Sequence, residues 1–355
     1  LQEPGLSLDA TSERLRVMLL IFHESAVVPA RHRDAAGRLR SMLQTAGHEL
    51  RPFEGASMPH AAADAVVALF PTASDRRTQG DLLAWAGRQG IKTVALEPDL
   101  EAISGNSDGA FAADLAAFDR VVTFEPCAYE PLQSLFRGSD ALHCFAPFLD
   151  VAPSVAAARD AAFHRQNLAA RLVLPRDVPW ILADGSADLA DGLASFQQLS
   201  QALSKVLMEP WALLLRCEGR ALGDVEAQLR WLPRDRVWNL DAAANNNRAG
   251  IFAACDLFVW PAIGAACGPA LLEAQAAGLP VVAEKNDLTQ HYVADGITGK
   301  LYPPGNFASL ANQISFLLRH ANFRESLRLE ALKSTPELFG LLRAARDFNH
   351  LLDAL

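Results

Sequence analysis

Ala253-Ala-Cys-Asp-Leu-Phe-Val-Trp-Pro261 and, a few residues on, Gly268-Pro-Ala-Leu-Leu-Glu-Ala-Gln-Ala-Ala-Gly-Leu-Pro-Val-Val-Ala283 spell out a strand, a loop, a helix, a turn and a second strand. Leu257-Phe-Val-Trp260 is a short apolar run closed by a proline, as expected of a strand buried on both faces. Gly268 precedes a helix that opens near Pro269, and proline is tolerated there because its missing N–H would be unpaired anyway. Gly278-Leu-Pro280 turns the chain into Val281-Val-Ala283, and Lys300-Leu-Tyr302 reads as a further short strand. A glycine before a helix lets a ligand approach the backbone closely, and exposed N–H groups at such a terminus favour a diphosphate.

The same alternation runs outward in both directions. Trp180-Ile-Leu-Ala183, Trp211-Ala-Leu-Leu-Leu-Arg216 and Arg236-Val-Trp-Asn-Leu240 read as strands, with a helix from about Leu193 to Leu207. In the first half, strands are predicted at Arg16–Phe22, His48–Phe53, Ala65–Phe70, Lys92–Leu96, Arg120–Phe124 and Leu142–Phe145. Helices are predicted from about Ala30 to Ala46, stopped by Gly47, and from about Asp75 to Gln89. The register resets near Phe148–Pro153, where an Ala-rich helix runs to about Arg171. Strands alternating with helices predict parallel sheets covered on both faces. The fold class is therefore α/β, two Rossmann-like doubly wound domains, residues 1–150 and 151–335, followed by an amphipathic helix over 336–355. Ligands of such folds bind at the carboxyl ends of strands, and the cleft between two facing domains is the default site.

The formal charge of −9 is scattered along the 355 residues, which excludes the concentrated basic face of a nucleic-acid binder. Five cysteines (Cys127, Cys144, Cys217, Cys255 and Cys267) match no zinc or CxxC spacing and read as reduced, buried thiols. No apolar run reaches the ~18 residues of a membrane span, and Leu1 to Ser12 has no signal-peptide pattern. The expected location is cytoplasmic, with the inner face of the membrane as a peripheral alternative. The chain starts with Leu, as a trimmed chain or a piece of a longer one would. No Walker-type phosphate loop, GxSxG elbow, HExxH or metal cluster occurs, so neither a metal nor a resident cofactor is expected.

The two opening blocks, with Asp295-Gly-Ile-Thr-Gly299 and Pro303-Pro-Gly305, resemble GT-B glycosyltransferases of family 4, the glycosyl transferases group 1. Pro210–Gly219 and Ala46–Leu50 add further resemblance in the two domains. The resemblance implies a bacterial-type GT-B fold whose last helix crosses back to the first domain. It implies transfer of a sugar from a nucleotide-diphosphate sugar, a UDP-sugar favoured, with retention and without a metal. The acceptor would be a sugar, a lipid-linked molecule or a protein. Glu273 matches the glutamate that accepts hydrogen bonds from the ribose hydroxyls. Gly268, Pro269, Leu272, Gly219, Lys285 and Asn286, with the Gly299 loop, would line the donor side.

Several polar positions depart from the family pattern. The family's first glutamate, eight positions before Glu273, is Ala265 here, and a methyl group cannot hold a sugar. The family's Arg and Lys, which neutralise the departing diphosphate, have no counterpart, because no Lys or Arg occurs from Asp177 to Ser204. Asp184, Asp188 and Asp191 stand in that window and would repel a diphosphate. A relocated phosphate grip would draw on Arg216, Arg220 and Lys285, with Arg31, His32 and Arg33 from the first domain. His23 and Glu24 follow the first strand, where a histidine can act as base or orient an acceptor hydroxyl. His291 stands where the family carries a glutamate near the sugar. Two classes follow: a working transferase, or a noncatalytic pseudo-glycosyltransferase that binds or stabilises a protein partner. Replacement of a natural Glu at 265 would account for Ala265 but not for the missing cations.

Overall fold

The computed structural model describes residues 18–24, 33–55, 63–69, 71, 76–97, 110–124, 129, 132–133, 136, 140–184, 189–216, 221–240, 247–260 and 270–355. The chain divides into two compact units, residues 1–147 with 341–355, and residues 148–340.

The first unit holds β1 (Leu19–Glu24), α1 (Arg33–Thr45), β2 (Glu49–Pro52), β3 (Ala65–Leu69), α2 (Arg76–Gln89), β4 (Lys92–Leu96), α3 (Ala110–Leu115), β5 (Arg120–Thr123) and β6 (Leu142–Cys144). All six strands are parallel, in the order β2-β1-β3-β4-β5-β6. Every residue of β3 is buried, as the uninterrupted Ala65-Val-Val-Ala-Leu69 run requires when both faces of a sheet are covered. Ile21, Val66, Ala68, Ala95 and Val121 form one core with Leu82, Trp85 and Ala86 of α2 and Leu115 of α3. Cys144 is exposed, against the expectation of buried thiols, because β6 is the edge strand of the sheet among the described residues.

The second unit contains α4 (Ala152–Arg159), α5 (Ala161–Leu172), β7 (Trp180–Asp184), α6 (Leu189–Ser204), β8 (Ala212–Arg216), α7 (Ala221–Gln228), β9 (Val237–Leu240), α8 (Arg248–Ala254) and β10 (Leu257–Trp260). It continues with α9 (Ala270–Ala276), β11 (Val281–Glu284), α10 (Thr289–Tyr292), β12 (Gly299–Tyr302), α11 (Phe307–Arg319) and α12 (Ala321–Phe339). Its sheet is again parallel, ordered β12-β11-β10-β7-β8-β9. The chain winds from β7 to β9, then restarts at β10 on the other side of β7. The topological switch point therefore lies between β7 and β10, where open α/β sheets bind ligands at the carboxyl ends of their strands.

Side chains of β7 alternate between two cores, as the two-residue period of a strand demands. Trp180 and Leu182 pack with Phe252, Phe258, Trp260 and Leu271, whereas Ile181 and Ala183 pack with Phe196, Leu199, Leu213 and Val259. At the amino ends of the strands, Arg165 donates to Asp256 (2.8 Å) and to the carbonyls of Ala254 and Val178 (2.9 Å each). Its guanidinium lies 4.0 Å from the centre of the Trp180 ring, and Asp256 also accepts from the Trp180 N–H. This latch ties α5 to the starts of β7 and β10. Burial and the neighbouring Asp256 push the Cys255 thiol well above its ordinary pKa, consistent with an inert packing residue.

The final helix begins at Leu341 rather than at Pro336, which lies inside α12. The break falls at Gly340, and α13 (Leu341–Asp353) belongs to the first unit, where it packs on α1. Arg343 fixes that return by donating to the carbonyls of Ala146 and Pro147 at 2.7 Å each.

The Asp295-Gly-Ile-Thr-Gly299 loop is held by its own groups. Asp295 accepts from the Leu301 N–H at 3.0 Å and pairs with Lys300 at 3.1 Å, while Gly296 takes φ +77°, a conformation that favours glycine. Gly299 is required for space instead. A Cβ on it would lie 2.5 Å from the Val281 carbonyl oxygen and 2.8 Å from Val293 Cγ1. Gly299→Ala is therefore expected to cost about 1–3 kcal/mol, by forcing β12 away from β11. Urea unfolding checks this, and an unchanged midpoint would show that the sheet edge yields freely.

Candidate functional site

Four charged side chains form a chain at the switch point. Asp184 and Arg216 are the last residues of β7 and β8 and stand opposite each other in the ladder register. Arg216 Nη1 donates to Asp184 Oδ2 at 2.9 Å. Arg248, the first residue of α8, places Nη2 at 3.6 Å from the same oxygen and Nε at 2.6 Å from Glu273 Oε2. That short approach lacks hydrogen-bond alignment, so charge rather than a directed bond holds the pair. Burial is graded along the chain: the side chains of Asp184 and Arg216 are 1% and 10% exposed, those of Arg248 and Glu273 31% and 20%. The inner pair is embedded and the outer pair reaches solvent.

Local sequence explains the placement. Asp184 and Arg216 each close an apolar strand (Trp180-Ile-Leu-Ala and Ala212-Leu-Leu-Leu), so the strands carry their polar ends to the carboxyl edge of the sheet. Asn247 caps α8 by accepting from the Gly250 N–H at 2.9 Å, which fixes the turn that presents Arg248. Glu273 lies in the first turn of α9, whose neighbours Leu271, Leu272 and Ala274 are in the core.

The expectation that the aspartates of the 177–204 window repel an anion is corrected for Asp184. Its charge is buried and answered by two arginines, and the four described side chains together carry no net charge. Arg248 was not foreseen from sequence, and Arg216, read as a relocated phosphate grip, is engaged with Asp184. Leu272 is buried in the core, so only its backbone can face a ligand. Lys285 is exposed, and its N–H donates to the Tyr302 carbonyl at 2.8 Å. Asn286 and Thr289 exchange backbone-to-side-chain bonds of 2.9 and 2.8 Å, while Asn286 Nδ2 is buried with no hydrogen-bond partner among the described residues. His291 is exposed on α10, and His23 is half-buried on β1 of the first unit. Ala265, Gly268, Pro269, Gly219, Arg220, Arg31, His32 and Asp188, and the side chains of Glu24, Arg33 and Asp191, lie outside the described residues.

Two further carboxylates were missed. Glu284, at the end of β11, is buried and accepts from the Gly305 N–H at 2.9 Å, anchoring the Pro303-Pro-Gly305 loop. Glu97, just past β4 in the first unit, is buried at φ +51° and accepts from the Phe124 N–H and the Thr123 hydroxyl. A non-glycine residue in that region carries local strain. A separate cavity of ≈ 310 Å³ between α5 and α8 is lined by Phe163, His164, Asn167, Arg171, Asn247 and Gly250, and by none of the residues singled out in the sequence. No described helix is long and apolar enough to cross a membrane.

Residues 187–320 match the family model described as Glycosyl transferases group 1. Over 79 residues the chain is 39% identical to the phosphatidyl-myo-inositol mannosyltransferase of Mycobacterium leprae, which covers 22% of this chain and about a fifth (21%) of that relative's length. HepE of Anabaena, solved with UDP and glucose, superposes with a TM-score of 0.65 at 14% identity, covering 96% of this chain and all (100%) of its own. A Rickettsia africae glycosyltransferase gives 0.65 at 13%, over 96% and 98% of the two chains. The sucrose-phosphate synthase of Thermosynechococcus elongatus gives 0.62 at 18%, over 96% and 100%. Two six-stranded parallel α/β units and these structural likenesses give the chain a GT-B fold, and residues 187–320, within the second unit, are similar to the glycosyl transferases group 1.

Proposed function

We propose that this chain transfers a sugar from a nucleotide-diphosphate sugar, with a UDP-sugar favoured, to a sugar, lipid-linked or protein acceptor, with retention of configuration and without a metal. The observation that carries this reading is Glu273, a carboxylate that stays partly open to solvent at the switch point of the second sheet. A carboxylate accepts from both ribose hydroxyls at once, and hydrogen bonds to a charged group contribute about 1.5–3 kcal/mol. Retention and metal independence follow from the family resemblance. The preference for UDP is supported by structural neighbours solved with UDP or UDP-glucose.

In this reading the Gly268 loop approaches the diphosphate, Asn286 offers its buried Nδ2 donor to the donor side, and Lys285 adds a nearby cation. Ala265 contributes no hydrogen bond to the transferred sugar, so its orientation falls to His291 on the donor side. Titration calorimetry with UDP, GDP, UDP-glucose and GDP-mannose tests the reading. Saturable binding of one nucleotide and its sugar, with slow hydrolysis of the sugar nucleotide, is the expected result. No binding of any of them at millimolar concentration would remove the enzyme reading. Tight binding without turnover would make the chain a noncatalytic nucleotide-binding module for a protein partner.

A further inference from the structure

Arg248 stands between a buried carboxylate and the carboxylate that the proposed reading gives to the ribose. Its Nε sits 2.6 Å from the Glu273 carboxylate, the group assigned to the ribose, and its Nη2 lies 3.6 Å from Asp184. No cation is supplied by residues 177–204, so a diphosphate arriving at this edge of the sheet depends on cations from other elements. Of the two in the chain of charges, Arg216 is almost enclosed and donates to Asp184, whereas Arg248 keeps about a third of its side chain in solvent. It also stands at the first helical position of α8, where the dipole disfavours a cation and two carboxylates offset the cost.

We propose that Arg248 is an exchangeable counter-ion. Before a nucleotide binds, it pairs with Glu273. On nucleotide binding it releases Glu273 to the ribose hydroxyls and turns the freed Nε edge of its guanidinium onto the diphosphate, while Nη2 stays beside Asp184. The exchange rests on the ribose role of Glu273 proposed above. A planar guanidinium suits both partners, because it pairs bidentately with carboxylate and phosphate alike. The exchange produces selectivity. A nucleoside must break the Arg248–Glu273 pair and gives the arginine nothing in return, while a nucleoside diphosphate replaces one anion with another. Arg248 thereby restores, from α8, the cation that the β7 window lacks.

The test compares UDP with uridine, or GDP with guanosine if GDP binds the wild-type protein more tightly. Arg248→Gln is expected to weaken the diphosphate about 10- to 100-fold, as removal of one charge-assisted hydrogen-bonding partner does, and to leave the nucleoside unchanged or improved. The affinity ratio of diphosphate to nucleoside therefore collapses. Arg248→Lys keeps the charge without the fork and should fall between the two. It also carries the test if the Gln variant melts before wild type. Equal loss of both ligands, or no change in either, would show that Arg248 only props up Glu273 and would overturn the exchange. A wild-type protein that binds neither UDP nor GDP would overturn the functional reading beneath it instead.

Discussion

Asp184→Ala is expected to destabilise the second unit by about 3–5 kcal/mol, the range found when one partner of a buried ion pair is removed. The Asp184 side chain is 1% exposed and shares one oxygen between Arg216 and Arg248. Without it, the Arg216 side chain remains at 10% exposure and loses the carboxylate 2.9 Å from its Nη1. The loss reflects a buried cation deprived of this carboxylate more than the net worth of the pair, since desolvation offsets most of what a buried pair gains. Replacing both partners, as in Asp184→Leu with Arg216→Met, should therefore recover most of the loss. For a unit of this size the single variant should lower the Tm by roughly 6–20 °C. Thermal melts of the two single variants and the double variant decide the point. A shift under about 1 kcal/mol for Asp184→Ala would mean that water already screens the pair.

The strands were legible in the sequence because burial on both faces leaves an unmixed apolar run. Ala65–Leu69, Lys92–Leu96 and Leu257–Trp260 form where those runs stand. Helix ends were less legible. Pro336 reads as a helix start, yet α12 continues through it for three more residues, and the break comes at Gly340. A proline inside a helix removes one donor, but packing of neighbours such as Ala331, Thr335 and Phe339 against the second unit outweighs that local cost. The Asp184–Arg216 pairing had a readable signal: two adjacent parallel strands, each an apolar run ending in a charge of opposite sign. Strand order alone aligns them. Arg248 had none, because its partners come from β7 and α9, and only the winding of the sheet past its switch point brings those elements together. The glycines of the Asp-Gly-x-x-Gly loop were visible as a motif, but the cause, a carbonyl 2.5 Å from where a Gly299 Cβ would stand, belongs to the β11–β12 approach.

Glu273→Gln should weaken nucleotide binding about 10- to 100-fold while changing the Tm little. The carboxylate accepts from two ribose hydroxyls in the proposed reading, whereas an amide keeps only one acceptor oxygen and carries no charge to strengthen the bond. The outer pair is partly solvated, so breaking it costs far less stability than breaking the Asp184 pair. The direction of the specificity change separates a ligand role from a structural one. Uridine, which depends on Glu273 for its ribose, should lose affinity in the variant. UDP should lose a similar factor, because both ligands give up the same ribose bonds and both are spared breaking the Arg248–Glu273 pair. The UDP-to-uridine ratio is then kept by Glu273→Gln and lowered by Arg248→Gln. A structural pair would keep the ratio in both variants, because either substitution would loosen the same joint between α8 and α9. Undiminished binding of both ligands to a folded Glu273→Gln protein would place the ribose elsewhere.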